Sequence, residues 1–117
     1  MKKADVPDVV VTPETFAKAG ETLKSLNDGG SPDLTVCGEV ARVLKRIRDR
    51  RCFEGLDETV QERLRAAAGT VNHRFSHNDS MLLNFLSEAF GATNRPHNAE
   101  PCRRDRIGTF LQNIASA

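Results

Sequence analysis

The sequence predicts an all-α fold: a compact bundle of four to five short helices behind an irregular N-terminal arm. Three observations carry that expectation. Apolar residues recur at three- and four-residue steps in successive segments. Capping residues followed by proline or an acid open those segments, and glycines close several of them. Only Val9-Val10-Val11 has strand character, and a single strand has no neighbour to pair with.

Residues 1–11 carry no helical period and read as an arm, leaving 12–117 as one α-helical domain. Thr12 is a good N-cap, Pro13 suits the first helical position, and Glu14 favours the positive end of the helix dipole. Phe16, Ala19, Leu23 and Leu26 then form one apolar face, which Asn27-Asp28-Gly29-Gly30 terminates. Ser31-Pro32 repeats the cap-then-proline pattern. A second helix follows, with Val36, Val40, Val43, Leu44 and Ile47 as its buried stripe, running to about Phe53 and ending near Gly55. Asp57 caps a third helix, whose apolar period runs Val60, Leu64, Ala67, Ala68, Val71 and Phe75; Gly69 inside it implies close packing or a bend.

Asn78 or Asp79 caps a fourth helix that ends at Gly91. Met81, Leu82, Leu83, Phe85, Leu86, Ala89 and Phe90 leave only a narrow polar stripe of Asn84, Ser87 and Glu88. A helix so apolar must be central in the bundle or face another chain. Residues 92–100 have loop composition. Pro101 begins a fifth helix, with Ile107, Phe110, Leu111 and Ile114 inside. No internal repeat or sustained heptad is present, so neither a solenoid nor a long coiled coil is expected.

At 117 residues the chain holds one domain. Leu, Ile, Val and Phe make up 28 of those residues, above the share at which disorder becomes the expectation. Seventeen basic and sixteen acidic side chains leave a net charge of +1, too small a field to draw in nucleic acid or anionic lipid by itself. No apolar run approaches the roughly 18 residues of a membrane span. Acidic and proline residues follow Met1-Lys2-Lys3 where a signal peptide needs an apolar stretch, so the expected location is the cytoplasm, with delivery into a host cell compatible. The three cysteines, Cys37, Cys52 and Cys102, are odd in number and widely spaced, which reads as reduced thiols. Trp and Tyr are absent, so only Phe can supply aromatic anchors or base-stacking platforms.

Catalytic constellations are thin. His73 and His77 stand four apart, a metal-ligand spacing on a helix, but Arg74 occupies the place where an HExxH motif carries its glutamate. Cys102, in the first turn of the fifth helix with Arg103, Arg104 and Arg106 after it, has the surroundings that lower a thiol pKa, and an unreactive surface thiol is the simpler expectation. Gly29-Gly30 follows a helix rather than a strand and lacks the lysine of a phosphate loop. The chain is therefore expected to be no enzyme and to take no metal or cofactor.

The strongest polar feature is the second helix. Six of the ten residues from Arg42 to Arg51 are Lys or Arg, and Asp49 is the only acid among them. Arg42, Lys45 and Arg46 fall opposite the apolar stripe. Arginine prevails there, and its planar fork suits bidentate pairing with carboxylate or phosphate. If the fifth helix lies alongside, its arginines extend the patch.

One stretch resembles a known family. Gly69-Thr70-Val71-Asn72-His73-Arg74-Phe75-Ser76-His77-Asn78-Asp79-Ser80-Met81-Leu82-Leu83 is similar to the recognition-helix end of TetR-type repressors. The resemblance covers fifteen residues and implies that Thr70, Asn72, His73 and Arg74 face DNA. Asn72 stands where the family places an aromatic residue, and Ala66-Ala67-Ala68 runs into Gly69 without the family's Gly-Val-Ser-type corner.

These features lead to an expected non-enzymatic protein–protein interaction module, of the inhibitor, adaptor or effector type. It would dock an acidic protein surface through Arg42, Lys45, Arg46, Arg48 and Arg50. Met81, Leu83, Phe85 and Phe90 of the fourth helix would add apolar area or a homodimer seam. The alternative is a small DNA- or RNA-binding regulator using the same arginine-rich helix, with Thr70, Asn72, His73, Arg74, Arg103 and Arg104 as further contacts.

Overall fold

The computed structural model describes residues 12–50 and 58–116, and among them are five α-helices and no strand. The helices are α1 (Pro13–Asn27), α2 (Leu34–Arg50), α3 (Glu58–Val71), α4 (Asp79–Asn94) and α5 (Pro101–Ser116). Short 3₁₀ turns at His73–Ser76 and Pro96–Asn98 flank α4. The arm expected over residues 1–11 lies outside the described residues, as do Cys52, the Asp57 cap and the expected run of the second helix to Phe53. No described helix is long and apolar enough to cross a membrane.

Local chemistry sets the helix starts. Thr12 and Thr15 form a reciprocal capping box at the head of α1: each hydroxyl accepts from the other's backbone N–H at 3.4 Å. Asn78 caps α4 by accepting from the Met81 N–H at 3.1 Å. At α2 the expected Ser31-Pro32 start is corrected. The Asp33 carboxylate accepts from the Val36 N–H at 3.2 Å, so α2 begins at Leu34, with Pro32 in the lead-in. Gly29 takes a left-handed φ of 78° just after α1, a conformation in which a Cβ would be strained.

Two further boundaries differ from expectation. The third helix does not carry Phe75. Asn72 adopts an extended backbone and accepts from the Arg74 N–H at 3.0 Å, turning the chain into a 3₁₀ segment that folds Phe75 back into the core. The close packing expected at Gly69 is present, because a Cβ there would meet Ser76 Cβ at 3.2 Å. The fourth helix runs past Gly91 to Asn94, since burial of Ala92 and Thr93 extends its inner face by another turn.

α1 lies along α5, α2 lies along α4, and α3 packs against α5 and the 3₁₀ turn before α4. Backbone approach at the α1–α5 crossing is very close. A Cβ on Gly20 would stand 2.5 Å from the Gly108 carbonyl oxygen, and one on Gly108 would stand 2.9 Å from that of Gly20. Only a residue without a side chain permits that crossing at either position. Phe16, Leu23, Leu44, Ile47, Leu64, Leu82, Leu86, Ile107, Phe110 and Ile114 fill one continuous core. α4 is its central element, as an apolar circumference requires: Phe85 stacks on Phe75 at 4.7 Å and meets Phe110 edge-on at 4.9 Å.

Candidate functional site

The period of α2 determines where its charges go. Val40, Leu44 and Ile47 point into the core at 3- and 4-residue steps, so Arg42, Lys45 and Arg46 project into solvent. Among the described residues, Arg42 and Lys45 have no carboxylate partner. Arg48 behaves differently. It is half-buried, donates to the Asp49 carboxylate through Nε at 3.2 Å and Nη2 at 3.1 Å, and lays its guanidinium 4.4 Å from the centre of the Phe90 ring. It bridges α2 to α4 instead of standing clear. Arg50 is the last residue of α2, and its side chain lies outside the described part.

Met81, Leu83 and Phe90 are half-buried against the core. Phe85 does not belong with them, and its expected place on an outward seam is corrected. It shares the inner stripe of Leu82, Leu86 and Ala89, is 1% exposed, and is enclosed by two other phenylalanine rings.

The arginines of α5 do not extend the basic face. Because α5 lies along α1 and α3, its charges meet the far side of α4. Arg106 pairs with Glu88 at 2.7 Å and Arg103 approaches the same carboxylate at 3.9 Å. Arg104 ties three elements together: it donates to Asn27 Oδ1 at 2.7 Å and to the Pro96 carbonyl at 3.1 Å, while Asn27 Nδ2 donates to the Pro101 carbonyl at 2.9 Å.

The residues singled out by the repressor-like stretch are divided between the end of α3 and the 3₁₀ turn. The Thr70 hydroxyl donates to the Ala67 carbonyl and accepts from Asn113 Nδ2, both at 2.7 Å. Asn72 is occupied in capping. His73 and Arg74 are exposed, and His73 meets His77 edge-on with ring centres 5.5 Å apart. Seven residues, Asn72–Asn78, separate α3 from α4, longer than the three- to four-residue corner of a helix-turn-helix. No group of three or more potential metal ligands occurs among the described residues.

The thiols differ in the same physical sense as the arginines, by burial. Cys102 is exposed in the first turn of α5. Cys37 is 1% exposed between α1 and α2, and its pKa is pushed from 9.0 to about 11 by burial first and by the nearby Asp33 charge second, partly offset by a hydrogen bond with Thr22.

Two separate recesses beside α2 were not anticipated from the sequence. An open recess of roughly 770 Å³ lies between Arg48 and Asp49 on one side and Ser80, Leu83, Asn84 and Ser87 on the other. A second, of roughly 290 Å³, lies between Leu34 and Gly38 of α2 and the 93–98 segment. Gly38, a glycine inside α2 that no turn explains, lines the smaller one. Set against known protein families, curated proteins and solved structures, the chain matches none of them.

Proposed function

We propose that this chain is a non-enzymatic interaction module of the inhibitor, adaptor or effector type, docking an acidic protein surface through the outer face of α2. The observation that carries this reading is the uneven use of cations. Arg103, Arg104 and Arg106 of α5 and Arg65 of α3 bond to groups of the same chain, whereas Arg42 and Lys45 face solvent with no carboxylate partner among the described residues. Two such cations on one rigid helix favour an anionic partner by charge and register. A net charge of +1 gives little long-range pull toward nucleic acid, which favours a protein surface.

The test is affinity capture from the source organism, run in parallel with wild-type chain and an Arg42→Glu/Lys45→Glu variant. Circular dichroism would verify that both fold. A discrete partner that survives nuclease treatment, and is retained about tenfold less well by the variant, is the expected result. A partner held equally by both chains removes the basic face from the binding surface. Loss of all capture on nuclease treatment favours the nucleic-acid regulator instead.

A further inference from the structure

The smaller recess beside α2 is mostly apolar, and its walls are fixed in place. One wall is the start of α2, at Leu34 and Gly38; the other is the end of α4 and the 3₁₀ turn after it. Along that second wall the Thr93 hydroxyl and the main chain are already bonded. The hydroxyl donates to the Ala89 and Phe90 carbonyls at 2.9 and 3.1 Å, the Arg95 N–H to the Gly91 carbonyl at 3.1 Å, and the Asn98 N–H to the Arg95 carbonyl at 3.0 Å. The Pro96 carbonyl accepts from Arg104 Nη1 at 3.1 Å, which holds the turn to α5. An occupant without hydrogen-bonding groups leaves none of these unsatisfied.

Size and exposure determine what kind of group fits. At roughly 290 Å³ the recess lies at the low end for a ligand pocket, with room for one large side chain. Leu34, 49% exposed, is the large hydrophobic residue left in solvent among those described, and it lines this recess. Pro96, on the opposite wall, is buried. Exposed Asn94, His97 and Asn98 complete the lining as a polar rim. An apolar centre inside a polar rim is the setting in which an interface seats an anchoring side chain.

Charge specifies what accompanies the anchor. Arg95 lines the same recess, is exposed, and has no carboxylate partner among the described residues. The 93–98 wall carries no acid, and Asp33, beside Leu34, is occupied in capping α2. Glu39 lies about 100° around the helix from Gly38. On the same helical net Lys45 falls about 20° and Arg42 about 80° from Leu34, so the recess and the free cations share one side of α2. We infer that the partner inserts one large apolar side chain into this recess, with a carboxylate beside it that pairs with Arg95. This rests on the docking role of α2 proposed above and specifies what the partner inserts.

The anchor and the basic face can be tested apart. Random 12-residue peptides displayed on phage are selected on the intact protein, and each binder is measured against three variants whose folding is verified by circular dichroism. Gly38→Leu fills the recess from a position where an added Cβ meets nothing within 4 Å. Arg95→Glu reverses the charge at its rim, and Arg42→Glu/Lys45→Glu reverses the face further along α2. Binders are expected to carry a large apolar residue beside an Asp or Glu. They should lose about tenfold or more in affinity with Gly38→Leu and severalfold with Arg95→Glu. Amide shifts in ¹⁵N NMR should centre on Leu34, Gly38 and Asn94–Asn98. Binders weakened only by Arg42→Glu/Lys45→Glu overturn the anchor and leave the basic face standing. Binders indifferent to Gly38→Leu, shifts centred elsewhere, or an empty selection overturn the inference. Sedimentation supplies the remaining arm: self-association abolished by Gly38→Leu would make a second copy the occupant and overturn the acidic partner.

Discussion

Cys37 shows how one side chain reports its surroundings. A thiol 1% exposed is held neutral because its thiolate would lose hydration and face the Asp33 charge. The unfolded thiol ionises near 9.0 and the native one near 11. Between those values the unfolded state releases a proton that the native state keeps, so stability is intact below pH 9 and falls as pH rises through the window. Urea unfolding at pH 8 and pH 10.5 should show wild type losing about 2 kcal/mol more than Cys37→Ala over that interval. Equal losses would mean that the native thiol ionises freely. The same residue logic separates the arginines: what each one does depends on whether a carboxylate or carbonyl of the chain stands within reach.

Helices meet in this molecule through what their glycines permit. At the α1–α5 crossing the missing Cβ of Gly20 leaves room for the Gly108 carbonyl, 2.5 Å from where that atom would stand. Gly20→Ala must therefore push two backbones apart, and overpacking of this kind destabilises by about 1–3 kcal/mol. Gly38→Ala occupies open space on α2, relieves the glycine penalty, and should stabilise by about 0.5–1 kcal/mol. Chemical denaturation of the two variants is expected to give opposite signs; matching signs would contradict the packing described for one of these helices. α4 owes its central position to its apolar circumference, and Arg104 ties α5 to the end of α1 and to the turn after α4 through groups 77 and 8 residues away in sequence.

At the scale of the molecule, charges are sorted by face. On the α4–α5 side Glu88 takes up Arg106 and draws in Arg103, while the outer side of α2 keeps Arg42 and Lys45 without a carboxylate partner among the described residues. A nearly neutral protein with one such face gains orientation on encounter more than long-range attraction. Once a partner is captured, raising salt from 50 to 500 mM shortens the Debye length from about 14 Å to about 4 Å, and should slow association severalfold with little change in dissociation. Stopped-flow or surface-based kinetics would measure both rates. A complex whose association ignores salt would place the contact elsewhere.

Helix identity and most helix starts were legible in the chain because they depend on neighbours within four residues. The Thr12 cap, the proline at the head of α5 and the spacing of Ile107, Phe110, Leu111 and Ile114 act locally, and local rules read them. Phe75 and Phe85 were misplaced, and the side taken by the α5 arginines stayed open, for the opposite reason. A 3₁₀ turn returns Phe75 to the core, other rings enclose Phe85, and α5 settles on α1 rather than α2. The recess between α2 and α4, the Gly20–Gly108 crossing and the pairing of Glu88 likewise arise only when distant helices come within a few ångströms of one another. Periodicity along one segment gives the inward face of that segment, and excluded volume between segments decides which partner it meets.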